Sequence, residues 1–253
     1  MKLRMQNPEL FARHPFAALS FILSTLVPAG CAAETSPGQA AQEITVAEGF
    51  RMTVVAEALG PARHLAVRDN GDIYVAMRQR HRGGGIAALR DTNGDGRADR
   101  IERFGDFGGT GIRIRDGYLY FAHVRGVLRY RFRGNELVPD TTPEVIVKGL
   151  PRQRSHADKP ITFDDRGGLY VNVGAPSNAC QEESRTPGSP GIDPCPQLER
   201  HAGIWRFDAD KLGQTQADGD RFATGIRQSV AMCWTPLYGE LYVVQHGRDQ
   251  LHS

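Results

Sequence analysis

An all-β protein, and within that class a β-propeller, is what this 253-residue sequence predicts. Three observations point there. The short pattern Gly-x-Ile/Leu-Tyr occurs four times: Gly71 to Tyr74, Gly117 to Tyr120, Gly167 to Tyr170 and Gly239 to Tyr242. Each copy follows a strand-like run and continues as an apolar or alternating run, which reads as strand, tight turn and second strand. Second, the first three copies are followed by a further strand-like segment: Gly85–Arg90, Gly126–Arg131 and Gly203–Asp208. Third, 29 glycines and 15 prolines argue against long helices, because an interior glycine costs roughly 1 kcal/mol against alanine.

The repeat unit is about four strands in roughly 40–50 residues, the signature of a propeller blade. The repeated tyrosines lie 46, 50 and 72 residues apart. The long last interval holds a Pro/Gly/Ser-rich insertion between Cys180 and Cys195. A sandwich with similar hairpins is the competing architecture. Four hairpins make about four blades, the last of them cut short. The expectation is either a small propeller or a sequence incomplete at its C-terminus, since an open propeller exposes strand edges.

Before the first blade come two other segments. Residues 1–31 carry Lys2, Arg4 and Arg13, then an apolar core of 12 residues, Phe16–Val27. A helix of that length is shorter than a bilayer and matches a secretory signal. Pro28-Ala29-Gly30-Cys31 resembles a lipoprotein processing site with Cys31 acylated, and cleavage after Ala33 is the alternative. Residues 32–43 read as a flexible tether and 44–253 as the propeller. Localisation is expected to be periplasmic or as a membrane-anchored lipoprotein. The first thirty residues also supply the whole net charge of +2; without them 28 basic and 28 acidic residues remain. No basic field is left for a nucleic acid.

An exported chain permits disulfides. Pairing Cys180 with Cys195 closes a loop of about 15 residues, worth roughly 3 kcal/mol. Cys233, in the apolar run VAMCW, reads as a core residue. No CxxC or Cys/His spacing for zinc occurs.

The most specific local motif is DTNGDGRADRIE. Asp91, Asn93, Asp95, Arg97, Asp99 and Glu102 fall at positions 1, 3, 5, 7, 9 and 12 of a calcium loop. The flanks are not helical, so the reading is a structural calcium turn between strands; a polar turn with no ion is the alternative. His156, in Ser155-His156-Ala157-Asp158-Lys159, sits on a loop entering a blade, where an imidazole can take a hydroxyl proton. A surface histidine is the plainer reading. Arg227 in TGIRQ and Arg248 in QHGRD suit anionic carboxylates, or are solvated turn residues.

Together these pieces resemble the soluble quinoprotein sugar dehydrogenases, the sorbosone dehydrogenase-like branch, which use pyrroloquinoline quinone (PQQ). The residues that carry the resemblance are ARHLAV, GDIYVA, SHADKPITFDDRGGLYVNVGAPSN, TGIRQ and QHGRDQL, from about Pro61 to Ser253. It implies a six-bladed propeller with the quinone in its central depression. It implies His156 as general base and Arg227 as a residue beside quinone and substrate. Gln228 falls on a cofactor contact. Gly247 and Arg248 fall where backbone carbonyls hold the calcium that polarises the quinone. The implied partners are a sugar and an external electron acceptor. Ser155 stands where glucose-oxidising members have an acid, and a cofactor-contacting glutamine is missing near Gly109. The alternatives are a calcium-dependent, lactonase-like propeller hydrolase and a non-enzymatic binding or scaffold lipoprotein.

Overall fold

A computed structural model describes residues 45–249. The expected signal (1–31), its acylated Cys31 and the whole of the 32–43 tether lie outside the described residues. The chain divides into two units at Arg51. In the first, residues 45–50 hold one turn, closed by the Phe50 N–H on the Ala47 carbonyl (3.1 Å). The second unit is the propeller.

Fourteen strands make three four-stranded antiparallel sheets and one two-stranded sheet among the described residues. The first blade is β1 (Ala62–Val67), β2 (Ile73–His81), β3 (Gly84–Arg90) and β4 (Arg100–Phe104). The second is β5 (Gly109–Arg115), β6 (Tyr118–His123), β7 (Gly126–Arg131) and β8 (Glu144–Val147). The third is β9 (Ile161–Phe163), β10 (Gly168–Val173), β11 (Gly203–Asp208) and β12 (Asp220–Thr224). The fourth is the hairpin β13 (Ser229–Thr235) and β14 (Glu240–Gln245). Successive inner strands β1, β5, β9 and β13 touch one another, which sets the blades around a shared axis. The only helical pieces described are two short 3-10 turns, at Pro196–Glu199 and Gln216–Asp218.

The four repeats are the four turns between each first and second strand. Gly71, Gly117, Gly167 and Gly239 all have positive φ, from 64° to 90°. A side chain there would be strained, so the turn demands glycine. The tyrosine that follows fills the gap between blades. Tyr74 donates its hydroxyl to the Leu137 carbonyl (2.8 Å) and Tyr120 donates to the Ala209 carbonyl (3.1 Å), each reaching into the next blade. Around them lie the two largest clusters, one between blades one and two, the other between blades two and three. Tyr170 stacks on Trp234 of the fourth blade with ring centroids 5.7 Å apart.

The fourth copy differs. Tyr242 is 52% exposed, whereas Tyr74 and Tyr120 are fully buried. Its sheet has two strands, and no further sheet covers its outer face among the described residues. The same geometry corrects the reading of Cys233, which is exposed rather than in the core. Along β13 the period of two turns Met232 and Trp234 toward blade three, so Cys233 faces away from that packing.

Antiparallel strands send alternate connections to opposite ends of the propeller. The glycine turns and the 91–99 connection lie at one end. The connections 105–108, 148–160, 174–202 and 225–228, and the segment after β14, lie at the other.

Candidate active site

Those long connections bring together residues far apart in sequence. His156, on the 148–160 connection, adopts φ +52°, a strained backbone that a non-glycine residue keeps only where its surroundings fix it. Its Nδ1 stands 2.6 Å from the Ala175 carbonyl. A carbonyl only accepts, so Nδ1 carries the hydrogen and Nε2 keeps its lone pair. Burial holds the imidazole below its usual range; the Ala175 carbonyl opposes that, and Arg227, His246 and Arg185 add to it.

The loop is clamped from behind. Gln153 Nε2 donates to the carbonyls of His156 (3.1 Å) and Gly174 (2.5 Å). Gln228 Nε2 donates to the carbonyls of Asp158 (3.1 Å) and Ser229 (2.6 Å). Gly174 must be glycine: a Cβ there would stand 2.6 Å from the His156 carbonyl oxygen, 2.7 Å from its Cβ, and closer still to Gln228 Oε1.

Arg227 is 5% exposed. Its guanidinium donates to the Asn178 carbonyl (3.1 Å) and to Asn178 Oδ1 (2.8 Å), and reaches Asp249 at 3.4 Å. The Ala175 N–H donates to the Arg227 carbonyl (2.7 Å). Residue 175 therefore ties His156 to Arg227 through both its backbone groups. A cavity of about 270 Å³ opens here, lined among others by Ala175, Asn178, Gln197, Arg227, Gln245 and Arg248. Cys180 and Cys195, joined by a disulfide, also line it.

The sequence-predicted residues thus divide. His156, Arg227, Gln228, Gly247 and Arg248 share one end of the propeller. Arg227 and Arg248 line the cavity; His156 reaches its edge only through Ala175, and Gln228 does not line it, being buried behind the His156 loop. Gly247 is exposed, with nothing within 4 Å of a Cβ position.

The expected calcium turn lies at the opposite end, between β3 and β4. Asp91 accepts the N–H groups of Asn93, Gly94 and Gly96 (3.2, 2.7 and 2.7 Å). Asp95 accepts that of Arg97 (2.7 Å), and Asp99 accepts from the Thr92 hydroxyl (2.6 Å). Glu102 is not drawn in; it sits on β4 and pairs with Arg100. Among the described residues no three His, Cys, Asp or Glu side chains are grouped to hold a metal, the arrangement a lactonase-like hydrolase requires.

Sequence reasoning passed over Asn178, Gln153 and Asp249. Asn178 stood in the quoted GAPSN run, but its partner Arg227 is 49 residues away. Nothing local announces that pairing.

Three solved structures share the fold. The holo PQQ domain of pyranose dehydrogenase from Coprinopsis cinerea aligns with TM-score 0.66 at 18% identity, over 81% of this chain and 48% of that one. The Trichoderma reesei carbohydrate-active enzyme of family AA12 aligns with TM-score 0.67 at 20% identity, over 82% and 51%. The PQQ-bound aldose sugar dehydrogenase from Streptomyces coelicolor aligns with TM-score 0.51 at 18% identity, over 78% and 60%. The chain thus spans about half the length of the first two. No curated protein sequence matches it. The TrAA12-like family model matches residues 44–253, which takes in all the blades and both arms of the site, and the chain belongs to that family.

Proposed function

We propose that this chain carries the catalytic base and part of the cofactor site of a PQQ-dependent sugar oxidoreductase. The observation that carries the reading is His156, fixed by Ala175 with Nε2 unprotonated, beside a buried arginine at the wall of a cavity. Support comes from the family, which is one of PQQ-dependent oxidoreductases, and from neighbours whose names specify PQQ and sugars. A neighbouring AA12 structure is described as a calcium structure.

The residues present fit the cofactor. Arg227 and Arg248 suit its carboxylates, and Gln197 and Gln245 supply amide groups around the same cavity. The carbonyls of Gly247 and Arg248 are the hard oxygen donors that Ca²⁺ prefers. When bound, PQQ supplies the two-electron acceptor for oxidation of a sugar carbinol.

The protein's own part is proton handling and charge. His156 Nε2 takes the substrate hydroxyl proton, and Arg227 stabilises negative charge developing on that oxygen. Because burial depresses the His156 pKa, the base form persists below the usual histidine range. Activity therefore falls as pH drops below the usual histidine range, where Nε2 becomes protonated. An external electron acceptor completes the cycle. Export is part of the proposal: residues 1–31 read as a signal, and the Cys180–Cys195 bond suits an oxidising compartment.

The test is dye reduction by the purified protein with PQQ, Ca²⁺ and a panel of aldoses and sugar aldehydes. His156→Ala should lower turnover roughly 10²- to 10⁴-fold while PQQ binding, followed by quinone absorbance, is retained. Full turnover by that variant, or no PQQ binding by the wild type, would sink the proposal.

A further inference from the structure

We propose that a second, smaller cavity, between the first three blades, binds a carboxylate or similar small anion. It measures about 100 Å³ and is lined by Arg78, Thr110, His123, Asp158 and Lys159, among others. It lies at the same end as His156, but its walls share no residue with the larger cavity.

Lys159 is 1% exposed. Its ammonium makes one hydrogen bond among the described residues, to the Ala157 carbonyl (3.1 Å). An ammonium has three N–H donors, so two are unused. Asp158 does not take them: its carboxylate is engaged by Arg63 (3.1 Å) and faces Arg78 (3.9 Å). The His123 ring stacks on Phe107 at 4.5 Å and makes no hydrogen bond among the described residues. Arg63, Arg78 and Lys159 therefore share the single carboxylate of Asp158, and Lys159, the most deeply buried of them, makes no ion pair of its own among the described residues.

A buried charge is tolerated when it is paired. An anion between Lys159 and Arg78 would complete the pairing, with the neutral His123 ring beside it as an N–H donor. The volume suits one carboxylate group and not a three-ring quinone. Two sources share that chemistry: a carboxylate of the PQQ itself, in which case the inference rests on the proposed function, and a free small carboxylate, in which case it does not.

The experiment titrates acetate into the protein at constant ionic strength, followed by calorimetry. Saturable binding is expected, weakened at least tenfold in Lys159→Met and restored in Lys159→Arg. Arg78→Gln, at an exposed side chain, provides an independent variant and should weaken acetate several-fold. If wild type shows no saturable binding, or both variants bind acetate as it does, the inference is wrong. A second arm titrates PQQ with and without acetate. Competition identifies the quinone's carboxylate as the occupant, and simultaneous binding identifies a free anion. The acetate arm needs no quinone, so it stands or falls separately from the proposed oxidoreductase activity.

Discussion

Replacing Lys159 with methionine should make the protein more stable at neutral pH in an anion-free buffer. Burial pulls the Lys159 pKa from the ordinary 10.5 down to about 8, against the opposing pull of Asp158. The other charged or titratable groups around it are Arg63, Arg78, His123 and His201. The folded state thus holds this proton less tightly than the unfolded chain. Stability from this source is full above the unfolded value and is lost as pH falls through about 8. At 1.36 kcal/mol per pKa unit, the penalty at pH 7 is about 3 kcal/mol. Methionine removes it but leaves the Ala157 carbonyl without its donor, at about 1 kcal/mol. The net gain is about 2 kcal/mol at pH 7. At pH 9.5 the wild-type amine is mostly neutral in the folded state, the penalty shrinks to about 1 kcal/mol, and the gain vanishes. Urea unfolding of both proteins at the two pH values measures this. A variant less stable at pH 7, or a difference that does not change with pH, would show that the ammonium is already compensated and the reasoning mistaken.

Two further outcomes follow from the blades. Tyr120→Phe removes the hydroxyl that bridges the Ala209 carbonyl and Arg129, and should lower stability by about 1–3 kcal/mol. Tyr242→Phe, at the exposed fourth copy, should change it by less than about 0.5 kcal/mol, and urea midpoints compare the two. Replacing Cys180 and Cys195 by serine should lower stability by about 3 kcal/mol, read as a fall in Tm that reductant reproduces in the wild type and not in the variant.

The blade repeat was legible because each of its parts has a local cause. Gly71 marks a turn that needs positive φ, and Tyr74, three residues later on β2, is buried because alternate residues face one neighbour. The Cys180–Cys195 pair was legible for the same reason: both ends of one loop were in view. Lys159 was not. In the string Ser-His-Ala-Asp-Lys it looks like a solvated charge, and only the approach of β9 to β5 buries it, with its N–H on the Thr110 hydroxyl (3.0 Å). Cys233 failed in the opposite direction. Its apolar neighbours suggested a core, but a hairpin packed on one face buries only every second residue.

The two ends of the propeller differ in how they are written. At one end the four glycine turns are short and repeat, since each joins a first strand to a second with the same geometry. At the other end the connections that carry the site, 148–160, 174–202 and 225–228, differ in length and role, and no shared geometry constrains them. Sequence periodicity therefore locates the scaffold and is silent about the site. At the site, Ala175 contributes backbone alone, its carbonyl orienting His156 and its N–H meeting the Arg227 carbonyl. A residue that acts through its backbone leaves no side-chain signature, so His156 could be singled out only from the family-like SHADK run, while the group that sets its tautomer required the fold.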